Sequence, residues 1–179
     1  MEEAVLERQG EGIRWMTSAV EASERLIQLV RDNEDIANHA EGCDVGMLTR
    51  AERELGVEFP PSYRRVLEEF STWDIAGTEF LGVYQTPLRG EVLLGSVAET
   101  LDARSKVGLP ADLIVVKLDD VWGFVVLDVS QRGQDGEYPV RAWNPGLPDR
   151  DSMGRVGDNF GSFALNECQM AVTQWRQSS

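Results

Sequence analysis

Four carboxylates, Asp119, Asp120, Asp128 and Glu137, fall at the ends of segments that read as paired strands, so acid–base chemistry is the first possibility to test. A glycosidase-type site needs two carboxylates roughly 5–10 Å apart across the scissile bond. With 31 acidic residues in 179, neighbouring carboxylates arise from composition alone, and this spacing marks no catalytic pair. A nucleophilic triad would have to use the one histidine, His39, which stands in a polar stretch. Zinc requires three or four His- or Cys-type ligands, and the chain offers only His39, Cys43 and Cys168. The two cysteines are far apart in sequence and read as idle thiols. No phosphate-binding glycine loop follows any strand-like segment. The expectation is no catalytic residue, no metal and no cofactor.

The same carboxylates make a better binding surface. Net charge is −14, from 17 basic and 31 acidic residues. That balance repels nucleic acid phosphates and favours a basic protein partner, although plain solubility also asks for acidic surfaces. Asp119 and Asp120 would project from a hairpin turn, with Glu137 beside the next turn. Trp73 and Asp74 stand side by side in a segment that reads as an irregular loop. An aromatic anchor beside a charge suits a contact; a plug under the sheet is the other reading of Trp73. The candidate partner-binding set is therefore Trp73, Asp74, Asp119, Asp120 and Glu137. Residues 32–58 carry eight acids and two arginines and form a second acidic face. The opening MEEAVLERQGEG has neither a basic nor an apolar targeting region, and VWGFVVL at 121–127 is too short to span a bilayer. A cytoplasmic protein with no membrane association is expected.

These side chains need elements to hold them. Ile13, Met16, Val20, Ile27 and Val30 recur at helical spacing and predict a long helix over 13–38. Residues 1–42 read as a helical extension packed on a single globular unit at 43–179. Thr49 with Glu52 reads as a capping box, Gly56 as a helix stop and Pro61 as the first turn of a second helix. Tyr63, Val66, Leu67 and Phe70 give that second helix one apolar face. Short strands are predicted at 79–84 and 91–97, and Ser96 with Glu99 marks another helix start. DLIVVKL and WGFVVLDV form a hairpin, and YPVRAW follows as a strand. Pro139 places this last segment at a sheet edge or at a strand's beginning, and an open edge leaves monomer or homodimer open. Residues 144–159 read as a polar loop, and a closing helix runs from about Ser162 to Trp175. The plan is α+β, with a central, mostly antiparallel sheet of about five to six strands flanked by helices.

Read together, Glu52, Leu55-Gly56, Phe59-Pro60, Tyr63 and Leu67 resemble the E-x-x-LG-x-x-[LF]P-x-x-Y-x-x-x-L signature of the SUKH superfamily, the Smi/Knr/Syd-like fold. Trp122-Gly123, Leu127-Asp128, Gly136-Glu137, Pro139-Val140, Trp143 and Ser162-Phe163 follow in the order that family shows, so the likeness spans about residues 43–175. One departure is visible: where the family often carries Asn-Gly after the second helix, this chain reads Ser71-Thr72-Trp73-Asp74. The resemblance implies a non-enzymatic protein-binding module. Many bacterial members resemble immunity proteins that neutralise toxins, often nucleases, whose basic groove an acidic protein can cover. Others resemble regulatory scaffolds that bind a housekeeping partner, and that is the alternative.

Overall fold

The computed structural model describes residues 18–121, 123–146 and 154–178. Ile13 and Met16, the beginning of the expected first helix, lie outside them. Helix α1 covers Ala19–Asp32. Ser18 starts it through a reciprocal capping box with Glu21, because its hydroxyl and the Glu21 carboxylate satisfy amides that the first turn leaves bare. The expected run to residue 38 is cut short at Asp32. Asn33 turns its side-chain amide back to the Leu29 carbonyl at 2.8 Å, the local competition that unwinds helices at Asn and Asp. Residues Ala37–Glu41 then form strand β1, which the sequence had hidden inside the helix.

The corner that follows is built as expected in outline and differently in its bonds. Helix α2 spans Val45–Leu55 and helix α3 spans Pro61–Glu69. Asp44, not Thr49, caps α2, by accepting from the Met47 amide at 2.7 Å. Gly56 ends it in the left-handed conformation, with φ 71°. Glu52 does not reach back to the start of α2. Its Oε1 instead accepts from the Phe59 amide at 2.8 Å and from Arg64 at 3.0 Å. One carboxylate thus clamps the loop and the next helix to α2.

Among the described residues, nine short strands form three antiparallel groups, where one sheet of about five to six strands was expected. The first is β1–β2–β3, with β2 at Phe70–Ile75 and β3 at Thr78–Phe80. The second is β4 (Val83–Tyr84) with β5 (Leu94–Gly95). The third is β6 (Leu113–Asp119), β7 (Gly123–Asp128), β8 (Val140–Trp143) and β9 (Gly154–Gly157), paired in that order. Leu81 donates its amide to the Val116 carbonyl at 2.8 Å and so ties the first group to the third. Pro139 stands just before β8, where its missing N–H leaves the ladder intact; β9 then covers the outer side of β8, so β8 is no edge.

Helix α4 (Ser96–Val107) has no side-chain cap. Ser96, expected to be one, instead donates to the Val115 carbonyl at 2.6 Å and fastens α4 to β6. Ala103 and Leu109 cover Leu113, Val115 and Val126 on that face of the sheet. The main core lies on the other face, where Ile114, Val116, Val125 and Leu127 meet α1, α3 and helix α5 (Phe160–Ser178). Helices α1 and α5 approach so closely at Gly161 that a Cβ there would collide with the Ala19 carbonyl oxygen and come within 2.9 Å of Ser23 Oγ. Gly161→Ala is expected to force these helices apart and to cost about 1–3 kcal/mol, read as a lower thermal midpoint. An unchanged midpoint would show that the two helices slide freely.

Candidate protein-binding surface

The departure from the family pattern turns out to be a hairpin. Residues read as a loop after α3 form β2, and the chain reverses through Ala76 and Gly77, with φ 49° and 80°. Two successive positive φ values make the tight turn that matches strand twist. The register puts Trp73 opposite Phe80 and Asp74 opposite Glu79. Because successive side chains alternate between faces, Trp73 and Phe80 enter the core and the two carboxylates share the outer face.

Like charges directly opposite one another destabilise a strand pair. Among the described residues, neither Asp74 nor Glu79 has an ion-pair partner. Asn38 on β1, opposite Asp74, points its amide at both Asp74 oxygens, 3.2 Å from each. A cleft of about 220 Å³ opens beside them, lined by Asn38, His39, Thr72, Asp74 and Glu79. The surface therefore holds two adjacent negative charges, one amide donor and space for a cationic side chain. Sequence reasoning missed Glu79 and Asn38. An Ala-Gly pair five residues into a polar run was the signal, and reading it as a two-residue turn would have set Asp74 opposite Glu79.

The β6–β7 hairpin supplies a second exposed region. Asp119 accepts from the Val121 amide at 2.9 Å and shapes the turn, while Asp120 is exposed. Leu118 is 50% exposed and Val121 78%, so the tip mixes acid with apolar surface. Leu118 pairs with Phe124, whose ring lies 5.7 Å from that of Trp143. Trp122 lies outside the described residues. Asp119 and Asp128 sit at opposite ends of this hairpin, about 17 Å apart at ~3.3 Å per residue, too far for one glycosidic bond.

Two of the five expected contact residues are not on the surface. Trp73 is 2% exposed; it stacks on Phe80 at 5.8 Å and meets Phe160 edge-on at 6.3 Å. The strand alternation that turns the half-buried Asp74 outward buries Trp73. Glu137 is 4% exposed. Its carboxylate accepts from the Ser62 amide at 2.8 Å and the Ser62 hydroxyl at 2.6 Å, and so caps α3 from across the fold. Pro60 has no side chain able to do this, and Pro61 has no N–H to donate, so Ser62 offers the first free amide. Ser62 Oγ also accepts from the Gly161 amide at 3.2 Å, and Ser23 donates to the Ser62 carbonyl at 2.8 Å. This buried network joins α1, α3 and α5. Burial pushes the Glu137 carboxyl above its ordinary range, an effect that the Ser62 bonds only partly offset. Asp128 is likewise buried, held by Arg141 at 2.9 Å and by the Ser130 hydroxyl at 2.5 Å.

The remaining chemistry-bearing groups are quiet. Cys43 and Cys168 are buried free thiols, pushed up to about 11 and about 12 chiefly by desolvation. Among the described residues no three His, Cys, Asp or Glu side chains gather as metal ligands. A shallow cleft of about 540 Å³ lies over the α2–α3 corner, where Arg53 and Arg132 balance Glu52 and Glu58. It presents no net charge to a partner.

The corner residues Glu52, Gly56, Phe59, Tyr63 and Leu67 thus hold one scaffold together. A family model described as SUKH_5, SMI1-KNR4 cell-wall, matches residues 23–169. The chain belongs to the SUKH superfamily. The matched span begins inside α1 and ends inside α5, so it takes in the core, both exposed regions and the Glu137 network. At the level of the family, the match supports a protein-binding module. No helix among the described residues is long and apolar enough to cross a membrane.

Proposed function

We propose that this SUKH protein is a cytoplasmic immunity protein that binds a basic toxin domain, such as a nuclease, and blocks it by occlusion without any turnover. The Asp74–Glu79 pair carries the reading. A like-charge pair at directly opposed positions weakens the sheet that holds it, and a cation supplied by a partner would reverse that effect. The net charge of −14 would steer a basic partner toward such a surface. The exposed Asp120 and Val121 at the β6–β7 tip offer a second, mixed contact. The separation of Asp119 from Asp128, and the engagement of Asp128 and Glu137 with the protein's own groups, support a binding role over a hydrolytic one.

The test is to express the product of the adjacent open reading frame and measure its association with this chain across a salt series. The association rate is expected to fall roughly tenfold or more between low and high salt, as for charge-steered pairs. Asp74→Asn with Glu79→Gln is expected to weaken binding roughly tenfold and to leave the thermal midpoint equal or higher. A neighbouring product that does not bind, together with a deletion phenotype in the absence of any competitor, would replace this reading with that of a regulatory scaffold.

A further inference from the structure

We propose that the free edge of β1 is the place where an extended, basic segment of the partner adds as a further strand to the β1–β2–β3 sheet. The inference rests on the partner-binding reading above and gives it a geometry. Strand β1 ends the sheet order, and β2 is its strand neighbour among the described residues. The Ile36 carbonyl accepts from the Ala76 amide at 2.8 Å, which sets the phase of the ladder. In an antiparallel pair, residues alternate between facing their neighbour strand and facing away. Asn38, two residues on and paired with Asp74, therefore faces β2, while the backbone groups of Ala37 and His39 face outward.

Natural edges are guarded by lysine, proline or covering elements. Strand β1 reads Ala-Asn-His-Ala-Glu, and four of its five residues are exposed. Its one guard is the bulge between His39 and Glu41, which limits the usable run to a few residues. An edge of this kind suits a short docked strand better than an extended self-assembly.

Charge selects the occupant. Residues 32–44 contain Asp32, Glu34, Asp35, Glu41 and Asp44, and no lysine or arginine. Arg176 takes up Asp35 at 2.8 Å. A residue added opposite Asn38 would project onto the same face as Asp74 and Glu79, beside the 220 Å³ cleft, where a Lys or Arg side chain extends across Asn38 toward Asp74, the nearer acid of the pair. Strand β9, which ends the third group, is less suitable: it carries no carboxylate, and its Arg155 already engages Asp158 at 2.8 Å. Strand addition of this type draws affinity from main-chain bonds and specificity from alternate side chains.

The experiment uses the full 179-residue chain and two synthetic octapeptides, one alternating Lys and Val and the other Glu and Val. Binding is followed by fluorescence anisotropy and by amide hydrogen exchange. With the Lys-Val peptide the Ala37 and His39 amides are expected to exchange roughly tenfold or more slowly, while Asn38, already in the ladder, stays unchanged. His39→Pro removes an outward donor, and Ala40→Lys sets a guard cation beside the edge; each is expected to weaken the peptide roughly tenfold. Binding that protects residues 118–121 and leaves 37 and 39 unprotected overturns the edge assignment and spares the basic-partner reading. Equal binding of the two peptides overturns both.

Discussion

Replacing Trp73 with alanine is expected to destabilise the protein by about 3–5 kcal/mol, the range for deleting a buried aromatic. At roughly 2–4 °C per kcal/mol for a chain of this size, the thermal midpoint should fall by about 6–20 °C. The indole fills the space between Phe80 and Phe160, and the strands around it are too short to close over a cavity. Its Nε1–H meets no acceptor among the described residues, an unfavourable feature in a core. Trp73→Phe removes that N–H along with part of the volume and is therefore expected to cost less than half as much. A Trp73→Ala protein with an unaltered midpoint and lost partner binding would return Trp73 to the contact surface. Asp74, the next residue, should behave in the opposite way, with binding lost and stability kept.

Glu137→Ala is expected to cost about 3 kcal/mol, because the Ser62 amide and hydroxyl would both be left without their partner in a buried site. Glu137→Gln keeps the shape and one acceptor and should cost less. The pair also predicts a pH dependence. The carboxyl is held above its ordinary range in the fold, so the folded state binds its proton more tightly than the unfolded chain. Its contribution is then fully present below the usual glutamate range and is lost as pH rises through the folded value. The stability gap between wild type and Glu137→Gln should accordingly be widest in acid and narrow toward neutrality, measured by urea unfolding at several pH values. A gap that widens toward neutrality would mean that Ser62 and the α3 terminus favour the charged form more than burial opposes it.

Much of this architecture was legible from local chemistry. The Gly56 stop, the Pro61 restart, the apolar face of α3, the β6–β7 hairpin and the closing helix all follow from interactions within a few residues. The family signature was legible for the same reason, since its spacing records the corner. Other elements were not. Strand β1 is polar and carries no alternation of its own; it exists because β2 pairs with it. The β2–β3 turn uses an alanine at positive φ, a conformation that residue rarely adopts, so its Ala-Gly pair is a weak hairpin signal beside Asn-Gly or Asp-Gly.

The candidate surface divides along the same line. Composition and signature by themselves determined an acidic, α+β, SUKH-type binding module, because charge and local helix stops are properties of neighbouring residues. Only the tertiary structure decided which acids face outward. Asp74 and Glu137 are the same kind of residue to a sequence, yet strand phase turns one outward and a distant helix terminus buries the other. It also set Glu79 and Asn38 beside Asp74, since cross-strand register joins residues that are remote in sequence and depends on turns that only packing selects.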